Sequence, residues 1–188
     1  MQDRDLVLFY LYHGADPNAK PLFDNTALSH AVCYASMSTI KLLFEHGASV
    51  DVGEPLHWAV CRGLPDTLDV LDFLLQRGAR INKIMYEESP ESYACEIYSA
   101  LGTPLHEAAM LGKLDVARFL VEHGANPRIE DSMGGTALQV ARKAGHADLV
   151  SYLAPVAANS PVPEHQFTRL WRMPGWERFY ERDPDPRL

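Results

Sequence analysis

No stretch of this 188-residue chain approaches the roughly 20 consecutive apolar residues that a helix needs to cross a bilayer. Its start, Met1 to Asp5, carries two acids and one base, without the basic opening and small-residue cleavage site of a secretory signal. These two absences predict a soluble intracellular chain, cytoplasmic or nuclear, with no membrane partner. Cysteine is scarce: Cys33, Cys61 and Cys95 are an odd set with no C-x-x-C pair. A paired disulfide framework and a zinc-binding cysteine cluster are thereby excluded, and free thiols in a reducing compartment are expected. Basic residues are outnumbered 17 to 25, for a formal charge of −8. A chain of that sign repels phosphate backbones, so nucleic acid is not the expected partner. No G-x-S-x-G, phosphate-binding loop or G-x-G-x-x-G appears, and no two of the eight histidines stand as H-x-x-x-H. The expectation is a non-enzyme with no metal and no cofactor.

What is present is repetition. His-Gly-Ala recurs at His13-Gly14-Ala15, His46-Gly47-Ala48 and His123-Gly124-Ala125, with the variant Arg77-Gly78-Ala79 between the last two. A second phrase recurs at Thr26-Ala27-Leu28, Glu54-Pro55-Leu56-His57, Thr103-Pro104-Leu105-His106 and Thr136-Ala137-Leu138. Both phrases contain spacings of 33 residues (13 to 46, and 103 to 136). Each phrase suits a helix boundary. Thr103 can N-cap a helix, and Pro104 then occupies the first helical position, where its missing N–H costs nothing. Leu105, Ala108 and Ala109 follow at helical spacing, and Gly112 ends the segment. A second helix begins near Lys113, with Val116, Phe119, Leu120 and Val121 as its apolar face. His123-Gly124 closes it: glycine tolerates the left-handed conformation, and a histidine meets the negative end of the dipole. Asn126-Pro127 and Met133-Gly134-Gly135 read as turns.

In these residues the chain resembles the ankyrin repeat. Thr103 to Asp131 follows the family pattern almost throughout, and the likeness extends over about residues 5 to 154. The wording of His13-Gly14-Ala15-Asp16-Pro17-Asn18 and of Thr103 to Ala109 is similar to that of ankyrin proteins of filamentous fungi. The resemblance implies an all-α solenoid of about four stacked helix-turn-helix repeats, with a partial N-terminal repeat and an aromatic C-terminal tail. The expected divisions are a partial repeat over 1–18, then repeats over about 19–51, 52–82, 83–127 and 128–154, and a tail over 155–188. The first inner helix is missing, so the chain opens in an outer helix, Asp5 to Tyr12, and leaves an uncapped edge available for self-association or for further repeats. The turn between His46 and Glu54 is short, and Glu54 is a poorer cap than threonine. Gly63-Leu64-Pro65-Asp66 lengthens the link between the next two helices. An insertion over about 83–102 carries Tyr86, Tyr93 and Tyr98, and insertions in repeats tend to map to the binding face. After Pro155, Pro161 and Pro163, the sets Phe167, Leu170, Trp171 and Trp176, Phe179, Tyr180 each make one helical face, expected to fold back on the last repeat.

The resemblance assigns most histidines to structure: His57 and His106 to the helix start, where family members tie turn to turn, and His13, His46 and His123 to the helix end. Cys33 and Cys61 share a phase on successive inner helices and are expected to pack rather than react. The family's concave groove, lined by inner helices and projecting turns, would present one column of His30, Trp58, Glu107 and Val140. A second exposed column would be Tyr34, Arg62, Leu111 and Ala144. Rows rich in Trp, Tyr and Arg are what interaction hot spots contain. The expected function is protein binding through His30, Tyr34, Trp58, Arg62, Glu107 and Leu111, with the insertion tyrosines alongside. A second reading closes the insertion over the groove as a small-molecule or catalytic pocket made by His30, Tyr34, Trp58, Tyr93 and Glu107, with Glu107 beside the indole as acid or base. Accessory proteins of fungal secondary metabolism would be its setting. An enclosed cavity of roughly 300 Å³ or more beneath the insertion would favour it.

Overall fold

The computed structural model describes residues 3–20, 24–96 and 99–163. An outer helix, α1 (Asp3–Tyr12), leads into four helical hairpins: α2 (Ala27–Tyr34) with α3 (Met37–Glu45), α4 (Pro55–Cys61) with α5 (Thr67–Leu75), α7 (Pro104–Leu111) with α8 (Leu114–Glu122), and α9 (Ala137–Ala144) with α10 (Ala147–Asn159). A short helix, α6 (Pro90–Glu96), lies inside the insertion. The inner helices α2, α4, α7 and α9 stack in that order, and the outer helices form a second layer behind them. Among the described residues the only β pairing is an isolated bridge between Glu130 and Thr136.

The stack exists because each hairpin buries the same phases. Leu28, Leu56 and Leu105 are buried near the helix starts, and Ala31, Ala59 and Ala108 let the inner helices approach closely. Ile40, Leu43, Val70, Leu71, Leu74, Val116, Leu120, Leu149 and Leu153 close the core from the outer layer. No hairpin could cover this surface alone, so burial fixes the stacking. Thr26 and Thr136 accept from the backbone N–H groups of Ser29 and Gln139. Gly112 and Gly145 end their helices at φ of +70° and +82°, where a side chain would be strained. The helix-end imidazoles of His13, His46 and His123 each donate from Nδ1 to the carbonyl four residues back, at 2.7, 2.9 and 2.8 Å.

Three expectations change. The connector does not begin at Pro155: α10 runs through it to Asn159, because Leu149 and Leu153 anchor the helix and the side chains of Asn159 and Ser160 bond the carbonyls of Pro155 and Val156. The insertion is not a tyrosine-bearing surface loop: Ile84, Tyr86, Tyr93 and Leu101 bury one another in a small core of their own. Arg62 is not an exposed groove residue, for reasons given below. The tail aromatics lie outside the described residues, and so does Tyr98.

Candidate partner-binding face

The inner helices bring His30, Trp58, Glu107 and Val140 to one phase. His30 is exposed, and the other three are partly covered. At the C-terminal ends of α2 and α7, Tyr34 is 76% exposed, Met110 50% and Leu111 42%. These apolar side chains sit on a rigid, fully packed backing.

Arg62 departs from this row. Helix α4 ends at Cys61, one residue earlier in phase than α2 or α7, and Arg62 is its C-cap with ψ of 126°. Its side chain turns inward and is 1% exposed. Nε and Nη2 donate to the two carboxylate oxygens of Asp66, both at 2.8 Å, and Nη1 donates to the Val32 carbonyl at 3.0 Å. The fork holds the Asp66 carboxyl below its usual range. Lys113 completes this end of α4, its ammonium donating to the carbonyls of Val60 and Arg62 at 2.7 and 2.8 Å. Arg62 therefore joins α2 to α4 and offers nothing to a partner.

The helix-start histidines are also committed. His57 Nε2 donates to the Gly102 carbonyl and His106 Nε2 to the Gly135 carbonyl, each at 3.1 Å. The Thr103 N–H donates to His106 Nδ1 at 3.1 Å, so the sequence Thr-Pro-Leu-His closes its own capping box. Gly102 has to be small here: a Cβ would stand 2.5 Å from the His106 ring. Burial drives the His57 pKa down to about 3 and lowers that of His106, so both rings are neutral donors. At Glu54 the threonine cap is replaced by a left-handed residue (φ +58°) that makes no cap bond. Its buried carboxyl instead meets Lys83 Nζ at 2.8 Å, while its other oxygen lies 3.4 Å from His57 Nδ1. Burial raises the Glu54 pKa, and Lys83 opposes that rise.

Lys83 is the first residue of the insertion, and it carries the insertion across the inner helices. Arg80 adds ion pairs of 2.9 Å to both Glu87 and Glu88. Beneath the insertion lies a cavity of about 300 Å³ that opens on the inner-helix face. Trp58, Cys61, Glu107, Met110 and Val140 supply the helix side, and Met85, Tyr86, Glu96 and Leu101 supply the insertion side. The volume reaches the figure set by the pocket reading, but that reading asked for an enclosed cavity, and this one is open to solvent. Of the residues assigned to that pocket, Trp58 and Glu107 line the cavity, whereas His30, Tyr34 and Tyr93 do not. The Cys61 thiol donates to Glu107 Oε1 at 3.4 Å, and burial pushes its pKa up to about 12. Burial also raises the Glu107 pKa. The Trp58 indole N–H is buried with no hydrogen-bond partner among the described residues.

Lys83 and Lys113 are structural residues whose roles sequence reasoning passed over. Lys83 reaches back to Glu54 and Lys113 to the carbonyls of Val60 and Arg62, each across tens of residues, and no local motif marks either.

A family model described as ankyrin repeats (3 copies) matches residues 2–85 and 90–162. A probable E3 ubiquitin-protein ligase of Oryza sativa subsp. japonica is 34% identical over 124 residues, 63% of this chain and 22% of that protein. The B-cell lymphoma 3 protein homolog of Mus musculus is 31% identical over 145 residues, 74% of this chain and 29% of that protein. The espin-like protein of Homo sapiens is 44% identical over 62 residues, 33% of this chain and 6% of that protein. The chain thus spans less than a third of each of these relatives, and the comparisons do not show the filamentous-fungal likeness.

Proposed function

We propose that this chain, which belongs to the ankyrin-repeat family, is a non-catalytic platform that binds a protein across its inner-helix face. Ankyrin repeats in general mediate protein–protein interaction, and stacked repeats present extended concave surfaces suited to it. The observation that carries the reading is the row of exposed apolar side chains on packed inner helices: Tyr34, Met110 and Leu111. Trp58 and Glu107 lie within the same face and His30 borders it. A preformed surface loses little conformational freedom on binding, so burial of these anchors converts efficiently into affinity. Phe9, Tyr10 and Tyr12, exposed on α1, form the separate surface on which self-association would build. No helix among the described residues is long and apolar enough to cross a membrane.

The cavity of about 300 Å³ and the raised pKa of Glu107 beside Trp58 are the observations that favour a small-molecule reading. Its walls argue against catalysis. The Cys61 thiol is held protonated by burial, and both imidazoles are spent on turn carbonyls. The test of the groove is the double variant Tyr34→Ala/Leu111→Ala. Partners captured by the wild-type chain from extracts should fall at least ten-fold, with the thermal midpoint unchanged. Undiminished capture by a folded double variant would remove the groove assignment.

A further inference from the structure

We infer that the cavity beneath the insertion is a receptor for one arginine side chain of the bound partner, an assignment that rests on the protein-binding reading and refines it. Glu107 on α7 and Glu96 at the end of α6 both line the cavity, and no lysine or arginine does. Neither carboxylate has an ion pair among the described residues, although the neighbouring acids Glu54, Glu87 and Glu88 are all paired with Lys83 or Arg80. Lys113, the cation that acts on Glu107 from a distance, has its ammonium committed to two backbone carbonyls. The donors that Glu96 and Glu107 do have are neutral: the Ser99 hydroxyl at 2.7 Å and the Cys61 thiol at 3.4 Å. Two acids from different elements thus share one cavity without a counterion among the described residues.

The rest of the lining defines the occupant. Trp58, Met85, Leu101 and Met110 make most of the wall apolar, which suits a long aliphatic stem beneath a charged head. An arginine fits this better than a lysine: its planar guanidinium offers five donors to two carboxylates and stacks on indole faces. The volume is at the lower end of the range of ligand pockets, about 300 to 1,000 Å³, and matches one inserted side chain. An overall charge of −8 favours approach of a basic segment to this chain.

The test uses the full chain labelled with nitrogen-15, and the probe N-acetyl-arginine N-methylamide. The Trp58 indole signal is identified by its loss in Trp58→Phe. It should shift saturably with the probe, at least ten-fold more tightly than with the isosteric, uncharged citrulline derivative. Glu107→Gln and Glu96→Gln should each weaken the probe at least five-fold while the remaining spectrum stays folded. Equal response to citrulline would overturn the assignment in favour of a neutral ligand, and absence of any saturable shift would overturn it outright. Tyr34→Ala/Leu111→Ala should leave the probe's affinity unchanged, so failure of the groove reading and failure of the arginine site remain separable.

Discussion

The hairpin α7–α8 and the hairpin α4–α5 occupy equivalent places in the stack and are held by different physics. The first uses neutral parts: a threonine cap, a capping-box histidine, paired alanines and a left-handed glycine at its turn. The second has a glutamate in the left-handed region where the cap should be, an arginine buried at its helix end, and a lysine buried against that glutamate. Its contacts reach outward, to Val32, to Gly102 and into the insertion. The neutral hairpin closes its own helix start with local parts. The charged one is fitted to its neighbours, and that is where the cavity has formed.

The largest effect should come from cutting the buried ion pair. Lys83→Met leaves the Glu54 carboxyl in an apolar enclosure, and removal of one partner of such a pair costs about 3 to 5 kcal/mol. Because the Glu54 pKa already stands above its usual value, the residue can take up a proton, so the cost should fall near about 3 kcal/mol. The double variant Glu54→Gln/Lys83→Met should return to within about 1 kcal/mol of the wild type, since replacing both partners is often neutral. Urea denaturation measures both. A single variant as stable as the wild type would show that the charged hairpin does not depend on this pair.

Acid should weaken the charged hairpin next. His57 titrates near 6.5 when unfolded and is driven down to about 3 when folded. Between those values the unfolded chain binds a proton that the folded one refuses. The stability contributed by neutral His57 is complete above pH 6.5 and is lost as pH falls toward 3. By pH 5 the loss should be about 2 kcal/mol. Glu54, Glu87 and Glu107, raised by burial, respond with the opposite sign. The quantity to measure is therefore the difference between wild type and His57→Gln, which keeps a donor for the Gly102 carbonyl. That difference should shrink as pH falls. A difference independent of pH would mean that the ring is not held neutral.

The same contrast explains what could be read from the sequence. The neutral hairpin was legible because each of its devices is local: Thr103, Pro104, His106 and Gly112 act within a few residues of themselves. The histidine ties from His57 and His106 were legible through the family likeness. Arg62 was misplaced because phase counting assumes helices of equal length, and α4 stops one residue short of the position that Tyr34 and Leu111 occupy. Asp66, four residues on in the lengthened link, then captures the guanidinium. Tyr86 and Tyr93 were misplaced because an insertion of some twenty residues is long enough to fold a helix of its own and bury its rings against it. Asn18 and Asn82 stand five residues after His13 and Arg77, and each bonds both ways to the turn of a later repeat, yet polar residues in turns carried no periodic signal.

The smallest effect expected lies in the neutral hairpin. Thr103→Ala removes the hydroxyl that stands 2.9 Å from His106 Nδ1, but leaves the backbone N–H of residue 103 to satisfy the same nitrogen. The loss should be that of an ordinary N-cap, about 1 kcal/mol. Urea denaturation of this variant beside Lys83→Met compares the two hairpins directly. If stability in the regular repeat is spread over many small neutral terms, Thr103→Ala stays well below the lysine variant, and its fall is the same at pH 5 as at pH 7. A loss as large as that of Lys83→Met would place a dominant interaction in the regular repeat as well, and the division between a neutral and a charged hairpin would lose its energetic meaning.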